Sequence, residues 1–358
     1  MKKIMLTTAM VSVLTTAAIA QTSITGQLRI SYSDVSADKG VADGATAATT
    51  KNNAFGFGTE QQINIQNKGK LPVGGLDYAA GFSIENDGDQ ATTIFNENVF
   101  IDFINASSGT TLSFSRDHIQ GSDADYSATN LVGFTPNELS QTINTANANT
   151  RFKQNVGAAP RTAFGAGIVQ KLGDFGNASY LFVPNNGAPG GSEDVTENTT
   201  TAYEVGFVGG LGVKGLTVHA FKNKNSDFVT ATNTKEAEAT NMGVKYNFGQ
   251  LTLGVNRKVH NAETTAAGSN TAAGGEITEK AIAAAFAVNK DLTVGLLYAK
   301  ASQDGTVGSA QDQKVKAINV GYALGPINLD LGYGKNSDQN SIAGADTDHF
   351  IAKLTTNF

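Results

Sequence analysis

The chain has 358 residues and a formal net charge of −6, and it contains 40 glycines but no cysteine and no tryptophan. The lack of cysteine excludes disulfides, thiolate metal sites and cysteine nucleophiles. Charged residues make up 16% of the chain, well below the roughly 25% that is usual in soluble domains. The acidic balance, without a block rich in Lys or Arg, argues against a nucleic-acid partner.

Residues 1–20 have the features of a secretory signal peptide. Lys2 and Lys3 provide a positive start, residues 4–17 form a moderately apolar stretch, and residues 18–20 (AIA) fit a cleavage site. An N-terminal membrane anchor is the less favoured alternative, because the stretch is short and ends in small residues, and we expect cleavage before Gln21. The rest of the sequence has no apolar run of the about 20 residues that a spanning helix needs. The protein is therefore expected to be exported, as a soluble protein or as a membrane β-barrel.

Apolar and polar residues alternate along much of the remaining chain, which indicates strands with one apolar face. In the first such segment Ile24, Leu28 and Ile30 lie on one face, while Gln27 and Arg29 lie on the other. The same pattern recurs as far as the C-terminus. We predict about sixteen strands, at residues 22–33, 55–67, 76–86, 96–104, 110–117, 161–171, 177–184, 201–211, 215–224, 239–248, 251–260, 278–289, 291–301, 313–324, 326–336 and 347–358.

Short turns and long polar loops follow one another in strict order between these strands. The long loops are predicted at residues 34–54, 87–95, 118–160, 185–200, 225–238, 261–277, 302–312 and 337–346. This layout is typical of an antiparallel outer-membrane barrel with short periplasmic turns and long extracellular loops. Residues 21–358 are therefore predicted to form an all-β transmembrane barrel, with apolar side chains facing lipid and polar ones enclosing water.

Three segments resemble the general porins of Gram-negative outer membranes. Residues 23–29 (SITGQLR) are similar to the first strand of that family. Residues 110–116 (TTLSFSR) are similar to its fifth strand, and Phe358 is similar to its C-terminal assembly signal. The resemblance implies a homotrimer of sixteen-stranded barrels that is inserted by the barrel-assembly machinery and surrounded by outer-membrane lipid and lipopolysaccharide. It implies no cofactor. It also implies that the third long loop, residues 118–160, folds into the pore.

The resemblance and the charge pattern together suggest which side chains line the constriction. Acids of the loop would face cations of the wall, and acidic rings favour cations, so mild cation selectivity is expected. The candidate constriction residues are Arg29, Arg116, Asp117, Asp123, Asp125, Glu138, Arg151 and Arg161. Alternation from Leu112 and Phe114 directs Arg116 toward lipid, unless a bulge or a position near the rim intervenes.

Alternation also directs further charged residues into the lumen, where they would keep it hydrated. These are Glu60, Glu85, Asp102, Glu204, Lys245, Lys258, Asp330 and Lys353. The four histidines are isolated and no nucleophile or phosphate-loop motif occurs, so neither an enzyme nor a metal site is expected. The pattern predicts a passive diffusion channel for small hydrophilic solutes. A substrate-specific porin and a non-conducting structural or adhesive barrel remain alternatives.

Overall fold

A computed structural model describes residues 21–38, 52–72, 74–87, 95–116, 127–140, 152, 164–184, 201–226, 237–261, 276–303, 311–341 and 343–358. These residues form sixteen antiparallel strands. The strands are β1 Gln21–Asp38, β2 Asn52–Lys70, β3 Asp77–Asp87, β4 Phe95–Asn105, β5 Thr110–Arg116, β6 Phe164–Lys171, β7 Asn177–Val183, β8 Thr201–Gly209, β9 Leu216–Ser226, β10 Ala237–Asn247, β11 Leu251–Asn261, β12 Glu276–Ala287, β13 Leu292–Gln303, β14 Gln313–Leu324, β15 Ile327–Ser337 and β16 Asp346–Asn357. Single 3₁₀ turns occur at Glu138–Ser140, Gly173–Phe175 and Gln339–Ser341.

Each strand pairs with its neighbours in sequence, and β1 pairs with β16, so that the sheet closes into a barrel. At the seam, the N–H of Gly26 donates to the carbonyl of Phe358 at 2.7 Å, and the N–H of Phe358 donates to the carbonyl of Gly26 at 3.0 Å. Closure leaves no strand edge with unpaired backbone groups, as hydrocarbon requires. The predicted antiparallel barrel of sixteen strands is thus confirmed.

The two faces of the wall differ as the period-two pattern predicts. In β1 the side chains of Ile24, Leu28 and Ile30 are exposed on the outer face, whereas Gln27 and Arg29 point inward. The other strands repeat this arrangement, with large apolar side chains outside and small or polar ones inside. So much exposed apolar surface is explained by contact with acyl chains, because a soluble monomer rarely exposes large contiguous apolar patches.

Short connections join the strands at the end of the barrel where β1 begins and β16 ends. The turn between β10 and β11 is an example, because the side chain of Asn247 accepts a hydrogen bond from the N–H of Gly249 at 2.7 Å. Gly249 has a φ of +92°, a conformation that L side chains rarely adopt. Turns of this kind fix which side chains meet across a hairpin.

The predicted strands all appear in the structure, with ends shifted by a few residues. The largest difference is in β1, which continues from the predicted end at 33 to Asp38 and remains paired with both neighbours. The apolar alternation fades there because the strand extends beyond the apolar belt, while its ladder hydrogen bonds continue. No helix among the described residues is long and apolar enough to cross a membrane.

Candidate channel constriction

Part of the third long loop lies inside the barrel, against the inner face of β11 to β15. Of its described residues, 127–140 and 152, the segment 127–140 follows this wall closely at three points. A Cβ atom added to Gly254 would lie 2.0 Å from the carbonyl oxygen of Ala128, and one added to Gly295 would lie 2.6 Å from the side chain of Val132. Further along, a Cβ atom added to Gly332 would lie 3.0 Å from the side chain of Leu139. The loop can approach so closely only because these inward positions carry no side chain.

Small residues on the neighbouring inward positions extend this docking surface. The buried alanines of β12 and β13 that contribute to it are Ala283, Ala299 and Ala301. Phe134, Leu139 and Phe152 pack into it and are almost fully buried. An apolar contact within a polar lumen therefore holds the loop. Sequence reasoning did not identify this surface, although the inward Gly and Ala residues of β11 to β15 are visible in the sequence.

Polar side chains fix the ends of the described loop segment. The N–H of Ala128 donates to Oδ1 of Asn256 at 3.2 Å, and Nδ2 of Asn256 donates to Oδ1 of Asn241 at 3.0 Å. At the other end, Nε2 of Gln339 donates to the carbonyl oxygen of Ser140 at 2.9 Å. The uncharged residues Asn241, Asn256 and Gln339 were not singled out from the sequence, because only charged lumen residues carried a recognisable pattern.

Glu138 joins the third loop to β16, the last strand of the barrel. One of its carboxylate oxygens accepts hydrogen bonds from the N–H of Thr135 at 2.8 Å and from the Thr135 hydroxyl at 3.0 Å. The N–H of Glu138 in turn donates to that hydroxyl at 3.3 Å, which completes a capping box around the 3₁₀ turn. The other carboxylate oxygen forms an ion pair with Nζ of Lys353 on β16.

Lys353 is the centre of a charged cluster made of three sequence-predicted residues. Its Nζ lies 4.6 Å from the centroid of the Phe134 ring, besides its ion pair with Glu138. Asp330 is directly opposite Lys353 in the β15–β16 register. The cluster is half-buried, so both carboxylates share the charge of one lysine where water screens it only partly. We conclude that Glu138 and Lys353 anchor the loop to the wall.

Arg29 and Glu60 form a second charged pair on the inner wall. They are directly opposite each other in the β1–β2 register, and their side chains are in ion-pair contact. The side chains are 35% and 18% exposed, respectively, so the pair contacts the lumen. Both residues lie on inward positions of their strands.

The remaining predicted lumen residues that the structure describes also lie on inward positions. Asp102 is buried in the wall, where Oδ1 accepts a hydrogen bond from the hydroxyl of Ser113 at 2.6 Å. Glu85 and Glu204 are buried, whereas Lys245 is half-buried. On β11 and β12, Nε2 of His260 lies 3.0 Å from a carboxylate oxygen of Glu279. Inner-wall charges thus occur around much of the circumference.

Arg116 does not point into the pore. It ends β5 opposite Val99 and Phe164, and its register is continuous with the outward residues Leu112 and Phe114. The pairing contains no bulge between Thr110 and Arg116, so strict alternation places the guanidinium outside. Its position at the long-loop end of the strand keeps the charge away from the middle of the bilayer. The expectation that Arg116 belongs to the constriction disagrees with this geometry.

Asp117, Asp123, Asp125, Arg151 and Arg161 lie outside the described residues, as do residues 1–20. Phe358 is described, and its ring covers Gly26 on the outer face, so closely that a Cβ at Gly26 would lie 2.4 Å from the ring. Within the described part of the chain, no group of three His, Asp or Glu side chains is arranged to hold a metal ion.

Comparison with known proteins gives one family and several solved structures. A family model described as Gram-negative porin matches residues 7–341. In-vitro folded OmpT of Vibrio cholerae has 13% identity and a TM-score of 0.62, with 97% of this chain and 99% of that chain covered. The anion-selective porin from Comamonas acidovorans has 12% identity and a TM-score of 0.62, with 95% and 100% covered. The outer membrane channel DcaP of Acinetobacter baumannii has 12% identity and a TM-score of 0.60, with 97% and 100% covered. No curated protein sequence matches.

Proposed function

This chain belongs to the Gram-negative porin family, and we propose that the passive diffusion channel it forms across the outer membrane prefers cations. Small hydrophilic solutes cross such a channel through water, so no catalytic group is needed and we propose no enzymatic activity. Selectivity then depends on the diameter of the constriction and on the charges that face it. The fold alone does not decide whether the channel prefers cations or anions, because the similar porin from Comamonas acidovorans is described as anion-selective.

The charge of the described lumen supports a preference for cations. At positions two or more residues from a strand end, together with Glu138 of the loop, the described inward acids outnumber the inward bases by seven to five. The acids are Glu60, Glu85, Asp102, Glu138, Glu204, Glu279 and Asp330. The bases are Arg29, Lys68, Lys245, Lys258 and Lys353. Fixed negative charge around a water-filled passage raises the local concentration of cations and lowers that of anions.

The reversal potential under a KCl gradient tests this proposal. The purified protein is inserted into a planar bilayer with a tenfold salt gradient, and the potential at zero current is recorded. A preference for K⁺ gives the sign expected for cation flow down the gradient, and high salt on both sides reduces the effect because it screens the lumen charges. A reversal potential of the opposite sign would overturn the proposal.

We propose that residues 118–160 form the constriction and that the loop narrows the barrel from the side of β11 to β16. The docking of residues 127–140 on this wall supports the proposal. Among the charged side chains of the wall that the structure describes, we assign the ion pair of Arg29 and Glu60 to the constriction. We propose the same location for Asp117, Asp123, Asp125, Arg151 and Arg161, and an anchoring role for Glu138.

Single-channel conductance separates this function from its two alternatives. Steady ohmic steps are expected for a diffusion channel. A current that a particular solute blocks in a saturable manner would indicate a substrate-specific porin, and the absence of any conductance would indicate a plugged structural barrel.

We further propose that residues 1–20 are removed on export, that the barrel assembles as a homotrimer, and that the barrel-assembly machinery recognises the C-terminal strand. The contact between Phe358 and Gly26 supports the last point, since the terminal ring also completes the outer face of the seam. Outer-membrane lipid surrounds the barrel, and we propose lipopolysaccharide as the partner of its extracellular end.

A further inference from the structure

Four cations form a row across the outer face of neighbouring strands, and we call this row the basic ladder. Arg257 on β11 is directly opposite Lys280 on β12. Lys280 is opposite Lys300 on β13, and Lys300 is opposite Lys314 on β14. Directly opposed residues of an antiparallel sheet have Cβ atoms only about 4.5–5.5 Å apart. Four positive side chains therefore share one continuous strip of the wall.

The basic ladder faces away from the lumen. Three of the four positions that lie two residues nearer the middle of the wall, on the same face, carry the exposed large apolar side chains of Val255, Ile282 and Tyr298. The fourth, below Lys314, is Lys316, which is also exposed and lies opposite Tyr298. The residues next to the ladder on the inward face, Lys258 and Glu279, are buried. Alternation thus places the ladder outside, directly above the apolar belt.

The basic ladder lies at the end of the barrel that carries the long loops. Arg257 and Lys300 are close to the last residues of β11 and β13, and Lys280 and Lys314 are close to the first residues of β12 and β14. In the outer-membrane orientation proposed above, this end is extracellular. Cations immediately above an apolar belt that includes Tyr298 are at the depth of lipid headgroups, which long basic side chains can reach.

Among the described residues, the ladder has little counter-charge. Like charges directly opposite each other destabilise a sheet, and the ladder contains three such pairs. Lys300 has an ion pair with Asp312 at 2.5 Å. Within the described ranges, no carboxylate lies within 4.0 Å of the charged nitrogens of Arg257, Lys280 or Lys314. By contrast, Lys222 and Lys224, at the same end on the outer face, share Glu238 at 3.5 and 3.7 Å.

We propose that the basic ladder binds the phosphate groups of lipopolysaccharide in the outer leaflet. Phosphate oxygens accept charge-assisted hydrogen bonds from lysine and, in a bidentate manner, from arginine. A row of cations on four strands suits a headgroup that carries more than one phosphate, because neighbouring members can each contact a different group. This inference rests on the proposed outer-membrane orientation of the channel, and it specifies where on the barrel this lipid is held.

The proposal predicts opposite effects of one variant with and without lipid. The ladder variant carries Arg257→Gln, Lys280→Gln and Lys314→Gln, and a matched control carries Lys68→Gln, Lys70→Gln and Lys214→Gln at the short-turn end. In a neutral detergent without lipid, the ladder variant is expected to unfold at the same temperature as the wild type or higher, because repulsion is removed. Lipid A that carries both phosphates should raise the unfolding temperature of the wild type and of the control but not of the ladder variant.

The size of the expected effect is measured as the loss of affinity for lipid A. Titration with phosphorylated lipid A in neutral-detergent micelles is expected to show binding about 100-fold weaker for the ladder variant than for the wild type. The control should change little. Inorganic phosphate at the same concentration is expected to have no effect on the unfolding temperature. If the triple variant does not refold, Lys280→Gln alone serves, since Lys280 lies between two cations of the ladder.

Three results would overturn the proposal: equal affinity of the ladder variant and the wild type, equal loss of affinity in the control, or stabilisation by inorganic phosphate alone. The conductance of the ladder variant is measured in a planar bilayer of phosphatidylcholine. Wild-type conductance together with unchanged lipid A affinity would refute the lipid site while leaving the channel function intact. A wild-type protein without conductance would instead refute the channel function.

Discussion

The tightest contact of the third loop with the barrel wall, at Gly254, allows a sharp test of the constriction. In Gly254→Ala the new methyl group would lie 2.0 Å from the carbonyl oxygen of Ala128, whereas ordinary contact begins at 3.4 Å. The loop backbone must therefore move by about 1.4 Å. Overpacking of this kind costs about 1–3 kcal/mol, and the movement also strains the hydrogen bond between Ala128 and Asn256.

The direction of the movement follows from the other anchors of the loop. Glu138 remains paired with Lys353 on β16, so the loop stays attached and can yield at Ala128 only toward the channel axis. We therefore expect Gly254→Ala to lower the single-channel conductance.

The assay is single-channel recording in planar bilayers at high KCl concentration, with Gly56→Ala as the control. Gly56 is also an inward strand residue, but no atom lies within 4 Å of the Cβ that alanine would add. Both variants make the same change in strand propensity, so a difference between them reports the contact with the loop. Equal conductance of the two variants, with both barrels folded by gel-shift electrophoresis, would refute the docking of the loop at Gly254.

Four further variants test the charged sites and the seam. Lys353→Met leaves the carboxylate of Glu138 without its lysine partner, so we expect more frequent channel closures, recorded as a lower closing voltage; an unchanged closing voltage would contradict the anchoring role. Arg29→Gln should shift the reversal potential toward stronger cation preference and Glu60→Gln should shift it the other way, because each removes one charge of a lumen pair; shifts of the same sign would disprove the assignment. Deletion of Phe358 should reduce the amount of folded barrel in the outer membrane several-fold, measured in membrane fractions, and normal assembly would argue against its role at the seam.

The charges on the two faces of the wall have different consequences. Inside, Arg29 and Glu60 neutralise each other, so the excess of acids elsewhere sets the field that solutes experience. Outside, the described residues give the basic ladder a carboxylate partner only at Lys300, and we propose that lipid phosphates supply the counter-charge for the other three cations. One sheet can carry both patterns because successive side chains project to opposite faces.

The sequence by itself determined the number of strands, their approximate limits and the face on which most side chains lie. Arg29, Glu60 and Lys353 could be directed inward from their neighbours alone, because the period of a strand is local. Alternation also directed Arg116 outward, and the structure follows alternation rather than the family resemblance at this residue.

Only the tertiary structure decided which residues meet. The pairing of Glu138 with Lys353 joins positions 215 residues apart, and the approach of Ala128 to Gly254 depends on which part of the wall the loop reaches. The basic ladder likewise required the register of four strands, since a shift by one residue would separate its cations. Local patterns specify the face of each residue, but contacts across the barrel follow from closure and register, which are properties of the whole chain.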